Sequence, residues 1–129
     1  MTAPLTTAST DIRIAAIDIG SNSVRQIVAD VSPTGQIRVV DEMKAMPRLG
    51  EGLEATGSLS TTAIDAAVAA VQRMVTLANQ LGAARIEIVA TSAVRDAANG
   101  ADFTGQVEAR TGQSVRFLSG EEEALLCFS

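Results

Sequence analysis

Asp18-Ile19-Gly20-Ser21-Asn22-Ser23 stands between two apolar, β-branched runs, where the chain must turn. A glycine such as Gly20 can take a positive φ, which lets successive backbone N–H groups aim into one hollow, a nest suited to phosphate. The hydroxyls of Ser21 and Ser23 and the amide of Asn22 add donors. Asp18 would repel a phosphate unless a hard cation lies between them, and Mg2+ held at Asp18, directly or through water, resolves that conflict. The same residues also spell a plain tight hairpin.

Thr91-Ser92-Ala93-Val94-Arg95-Asp96 follows a second apolar run, so Thr91 and Ser92 are expected at a helix start, where N–H groups and the helix dipole favour an anion. Arg95, one turn in, reaches toward the same anion; an N-cap with a local Arg95–Asp96 ion pair is the plainer alternative. Ser119-Gly120-Glu121-Glu122-Glu123 has the spacing of a capping box between Ser119 and Glu122. Glu121 gains from the helix dipole, which leaves Glu123 as the carboxylate without a local task and the candidate general base, with Glu122 in reserve. Arg48-Leu49-Gly50-Glu51-Gly52-Leu53 could present Arg48 to a ligand, and a glycine-rich surface turn explains it equally well.

Composition narrows the chemistry. There is no His, so general-base work near neutral pH falls to a carboxylate or a metal-bound water. The ten basic residues are all Arg except Lys44, and Arg offers a planar fork matched to phosphate. A net charge of −5 argues against nucleic acid or an anionic membrane surface as partner. With 2% aromatic residues there is little to stack on bases, and the core must be built from Ala, Val, Ile and Leu. The single cysteine, Cys127, excludes an internal disulfide and a cysteine-pair zinc site and suits a reducing cytoplasm. No apolar run is long enough to cross a bilayer.

These residues must be positioned by ordinary elements, and 47% hydrophobic content over 129 residues suffices for one globular domain. Residues 1–11 are expected to be a loose, disordered tail. Strands are expected over residues 12–19, 24–31 and 36–43, the last with Ile37, Val39 and Val40 as apolar members, and a loop over 46–57. Ile64, Val68, Val71, Val75 and Ala78 recur at helical spacing after the candidate cap Ser60, with Gly82 past the end. A strand through Ile86, Ile88 and Val89, a helical turn over 91–98, a helix over 102–110 closed near Gly112, a strand over 115–118 and a helix from Ser119 complete a β-β-β-α-β-α-β-α order. The class is α/β: a mixed five-stranded sheet with helices on its faces.

In order, the D-I-G-S-N-S turn, R-L-G-E-G-L, G-x-L-S before a long helix, T-S-A-V-R-D-A-x-N and S-G-E-E-E-A closely resemble the Ppx/GppA phosphatase family over residues 14–129. The resemblance implies a ribonuclease-H-like domain of the actin-like ATPase superfold, two of which face a cleft in the family. It also implies removal of terminal phosphate from inorganic polyphosphate or guanosine pentaphosphate (pppGpp). By motif, residues 18–23 resemble the first phosphate loop, Ser92 and Arg95 further phosphate contacts, and Glu123 the catalytic glutamate. Residues 12–129 are then expected to be the amino-terminal domain, ending before the second glycine-rich loop and nearly inactive alone. Leu125, Leu126, Cys127 and Phe128 would be left to self-associate, so a homodimer is one expectation. Another actin-like kinase or ATPase, and a non-catalytic module that senses phosphorylated nucleotides, are the competing readings.

Overall fold

The computed structural model of the chain describes residues 11–118. The tail expected over 1–11 therefore lies outside the described residues except for Asp11, as does the helix expected from Ser119.

β1 (Ile12–Ile19) and β2 (Val24–Val31) pair antiparallel, and β3 (Ile37–Ala45) pairs antiparallel with β2. β4 (Arg85–Ala90) runs parallel to β1, and β5 (Val115–Phe117) parallel to β4. The result is a mixed five-stranded sheet in the order β3-β2-β1-β4-β5, the architecture expected from the sequence. Side-chain alternation sorts β1 into two faces: Ala15, Ile17 and Ile19 are fully buried, whereas Ala16 and Asp18 are exposed. Val24, Gln26 and Val28 of β2 lie across from that buried set. In β3 a register shift opposite Val28/Ala29 sends Ile37 and Val39 outward, 70% and 51% exposed, while Val40 and Met43 pack inward.

One helical layer covers the buried face. The segment expected to be all loop contains α1 (Leu53–Thr56), a single turn between two left-handed glycines, Gly52 (φ 79°) and Gly57 (φ 73°). Four residues are too few to show a period, which is why the sequence hid it. α2 (Thr61–Gln80) begins where Ser60 accepts a hydrogen bond from the Ala63 N–H at 3.1 Å. Its apolar stripe, including Ile64, Ala67, Val71 and Met74, lies on the sheet, and Gly82 takes φ 79° just past its end. α3 (Ser92–Asp96) and α4 (Gly100–Thr111) follow β4, and α4 packs Phe103 and Val107 into the main core. α4 starts two residues earlier than the expected Asp102. A Cβ at Gly100 would collide with the Val94 carbonyl oxygen, so only glycine lets α4 start so close to α3. No helix among the described residues is long and apolar enough to cross a membrane.

Far from the strand ends that carry the candidate chemistry, Arg13 ties three elements together. Its Nε and Nη2 donate to the Asp30 carboxylate at 2.8 and 3.0 Å, and its Nη1 donates to the Leu81 carbonyl at 2.8 Å. Arg38 adds a 2.8 Å contact to Asp30. Hydrogen bonding to Arg13 holds the Asp30 carboxyl below its ordinary pKa of 3.8, outweighing the opposing effect of its burial. A lowered folded-state pKa stabilises the fold above the unfolded-state value, and the effect fades as pH falls through the folded one. Asp30→Asn should therefore lower Tm at pH 7, with the gap to the parent closing progressively below about pH 4. A gap that persists unchanged into that acid range contradicts the assignment.

Gln26 is fully buried, and neither end of its amide has a hydrogen-bond partner. An unsatisfied buried polar group costs about 1–3 kcal/mol. Gln26→Met keeps the shape without the amide and should raise unfolding free energy by about 1–2 kcal/mol in urea titrations. A loss of stability would mean that the amide is satisfied in solution.

Candidate functional site

The register of β1 with β4 decides which residues meet. Ile19 pairs with Ala90, and the Thr91 N–H donates to the Ile19 carbonyl at 3.1 Å, so the turn after β1 and the start of α3 lie side by side. β5 ends level with them, because the Leu118 N–H donates to the Ala90 carbonyl at 2.9 Å. Three parallel strands thus deliver Gly20, Thr91 and Leu118 to one end of the sheet. Ligands of open α/β sheets bind at the carboxyl ends of parallel strands.

The turn is closed more tightly than the sequence suggested. The Gly20 N–H donates to the Ser23 carbonyl at 2.9 Å, and Gly20 is not among the positive-φ glycines. The expectation that a left-handed Gly20 shapes a nest is corrected accordingly: its N–H closes the hairpin, and a Cβ there would lie 3.3 Å from the Ser23 oxygen. Ser21 and Asn22 are held from another direction, with the Gly50 N–H donating to the Ser21 carbonyl at 2.7 Å and the Arg48 N–H to the Asn22 carbonyl at 3.1 Å. The peptide unit is planar and trans, so fixing those two carbonyls toward residues 48–50 turns the N–H groups of Asn22 and Ser23 the opposite way. Ser21 and Asn22 are exposed and Ser23 half-buried.

Asp18 lies on the exposed face of β1, across from Arg25. Among the described residues no group of three or more His, Cys, Asp or Glu could enclose a metal ion. Ser92 is half-buried at the first position of α3. Arg95 Nε donates to the Asp96 carboxylate at 3.1 Å, the local pair anticipated as the plainer alternative. Both side chains are largely exposed, and such pairs contribute about 0–1 kcal/mol, so the guanidinium can exchange this partner for an anion at little cost. Glu121, Glu122 and Glu123 lie outside the described residues.

Three features escaped the sequence reading. Thr91 takes the N-cap position without a capping bond, and its hydroxyl is buried with no partner, an orphan polar atom directly beside the turn. Buried polar groups are normally satisfied, so an orphan at this place is notable. Asn99, an anonymous letter of the T-S-A-V-R-D-A-x-N motif, grips the Leu59 backbone, accepting from its N–H at 2.8 Å and donating to its carbonyl at 2.9 Å. That anchors the end of the α3 region to the entry of α2. The third is the docking of residues 48–50, which forms an open cleft of about 400 Å³ lined by Ser21, Asn22, Met46, Arg48, Gly50 and Glu51.

The docking requires glycine, since a Cβ at Gly50 would lie 2.9 Å from the Ser21 Cβ. Gly50→Ala should cost about 1–3 kcal/mol of stability and shift the Ser21 and Asn22 amide resonances. An unchanged Tm with unmoved resonances would show that the contact is not tight.

The model of the Ppx/GppA phosphatase family matches residues 23–129. The chain belongs to this family. It is 32% identical over 117 residues to exopolyphosphatase 1 of Mycobacterium tuberculosis, covering 91% of this chain and 34% of that protein. It is 36% identical over 126 residues to exopolyphosphatase 2 of the same species, covering 90% and 39%. The crystal structure of the Aquifex aeolicus Ppx/GppA family member superposes with a TM-score of 0.83 at 30% identity, over 88% of this chain and 37% of that one. The sheet and its helices are thus those of the actin-like ATPase fold found in Ppx/GppA proteins. The chain spans a little over a third of the length of these relatives.

Proposed function

We propose that the chain supplies one wall of the active site of a two-domain phosphatase that hydrolyses the terminal phosphoanhydride bond of inorganic polyphosphate or of pppGpp. The observation that carries this reading is the bond from the Thr91 N–H to the Ile19 carbonyl, which sets the start of α3 beside the strand end from which the Gly20–Ser23 turn leaves. Membership of the family and the relatives named exopolyphosphatase favour polyphosphate as the substrate class. The roles proposed for single residues follow from where they stand. Gly20, Ser21, Asn22 and Ser23 form the phosphate turn, with the Asn22 and Ser23 N–H groups as donors, and Ser92 and Arg95 approach from the neighbouring strand end. Glu123, or failing it Glu122, would lie a few residues beyond Leu118 in the chain.

In this mechanism Glu123 orients a water molecule and takes its proton as the oxygen attacks the terminal phosphorus. The shortened chain leaves as a phosphate-bearing product. Arg95 and the turn amides stabilise the charge that spreads over the equatorial oxygens. A divalent cation, Mg2+ by preference, would neutralise the substrate's phosphates when bound. Asp18, near the end of β1, is the carboxylate that would meet it, and the described residues supply no fuller ligand set, so most of its ligands would come from phosphate and water. A reducing cytoplasm is the compartment proposed for this activity.

A single wall cannot surround a phosphoryl group, so the 129 residues alone should release phosphate from polyphosphate hardly at all. In the protein of full family length, Glu123→Gln should abolish phosphate release while polyphosphate still binds, and Arg95→Ala should slow it about 100-fold or more. Undiminished release in the Glu123→Gln protein refutes the assignment of the base.

A further inference from the structure

The segment that follows β3 is built to hold one side chain in a particular place. Among the described residues Arg48 is the one non-glycine with positive φ, at 54°. A non-glycine residue adopts that conformation at a cost, and it persists where the surroundings enforce it. Here three contacts do so. Leu49 is fully buried in the main core, and the N–H groups of Arg48 and Gly50 are both spent on carbonyls of the turn. With Leu49 driven inward and the backbone clamped on either side, Arg48 lies along the cleft that it shares with Ser21 and Asn22.

What the guanidinium does there is not explained by packing. It is 65% exposed, and its recorded ion-pair partner is the Glu51 carboxylate, 76% exposed, at 3.9 Å. That separation is long for a charge-assisted hydrogen bond, and a surface pair of this kind contributes little. A strained backbone, a glycine that cannot be replaced without collision and a buried leucine together maintain an arginine that rests on a weak contact.

We propose that Arg48 is a binding residue for the second phosphate of the substrate chain, the one adjoining the phosphate that is cleaved. This rests on the reading that the turn and Arg95 hold the terminal phosphate. The Asn22 and Ser23 N–H groups face away from the backbone of residues 48–50, whereas the Arg48 side chain lines the cleft beside Ser21 and Asn22, so amides and guanidinium flank different parts of the turn. An anion held on the amide side is not shared with Arg48, whereas a chain laid across the turn passes from one to the other. The ligand chemistry is therefore a linear run of phosphates, whether inorganic or attached to a nucleoside. Glu51 repels such a chain and acts as the counterweight, giving up Arg48 when phosphate arrives.

Thermal-shift titration of the 129-residue protein with inorganic phosphate, tripolyphosphate and pppGpp tests the proposal, because ligand-induced stabilisation reports affinity. Arg48→Gly and Arg48→Asn both accommodate the left-handed backbone, so they remove the guanidinium and keep the loop. Both should retain the parent Tm without ligand and the parent affinity for inorganic phosphate, and lose affinity for tripolyphosphate on the order of tenfold. Glu51→Gln should bind tripolyphosphate a few-fold more tightly. The same loss with pppGpp places a nucleotide's phosphates on Arg48, and a loss confined to tripolyphosphate assigns the inorganic chain; either outcome supports the proposal. Unchanged tripolyphosphate affinity in both Arg48 variants, or equal losses for phosphate and tripolyphosphate, overturns it while leaving the phosphate turn intact. Failure of the parent to bind any of the three overturns the phosphate turn and the proposal with it.

Discussion

The parallel pairing of Ile19 with Ala90 governs what this domain can do. Parallel strands carry their carboxyl ends to one edge of a sheet, and β1, β4 and β5 are three such strands in adjacent positions. The hairpin after β1, the α3 region after β4 and Leu118 after β5 are far apart in sequence, yet the ladder brings them level. A slip of one residue in β4 would turn Ile88 and Ala90 from the core to the exposed face. Their complete or near-complete burial, like that of Ile17 and Ile19 across from them, makes such a slip costly, so the register is enforced by the core and the site inherits its geometry.

A second layer of constraint acts on the turn itself. Hairpins of Gly, Ser and Asn are soft when isolated, and residues 48–50 remove that softness by gripping the Ser21 and Asn22 carbonyls and anchoring Leu49 in the core. Asn99 performs a comparable service for the α3 region by holding Leu59. The candidate phosphate-binding groups are thereby carried on short segments that rigid elements fix from outside. Pre-positioned donors of this kind stabilise transferring charge without having to reorganise. At the other end of the sheet, the Arg13–Asp30–Arg38 cluster secures β1, β2 and β3 and the end of α2, a purely structural task for charged residues.

Local patterns in the sequence carried most of the fold. The first two strands, the capped start of α2 and the glycine after it follow from alternation, helical period and capping chemistry, each a rule of neighbouring residues. α1 did not, because one turn between two glycines has no period to detect. The outward orientation of Ile37 and Val39 did not either, since it depends on a register shift against β2. The residues of the candidate site were legible as types, but their relations were not. Gly20 suggested a left-handed nest and instead closes the hairpin, because its N–H is taken by Ser23. Asn99 and Gly50 showed no purpose until their contacts 40 residues away, for Asn99, and across the turn, for Gly50, were in view. The order of five motifs compensated for that blindness by pointing to a family.

The site requires a single anion shared by the hairpin after β1 and the start of α3. Titrating phosphate into uniformly 15N-labelled protein and following the backbone amides measures this directly. Asn22, Ser23, Ser92 and Arg95 should shift together along one saturation curve, while amides near Asp30 and Leu81 stay still. Shifts confined to one of the two segments, or following different curves, would contradict it.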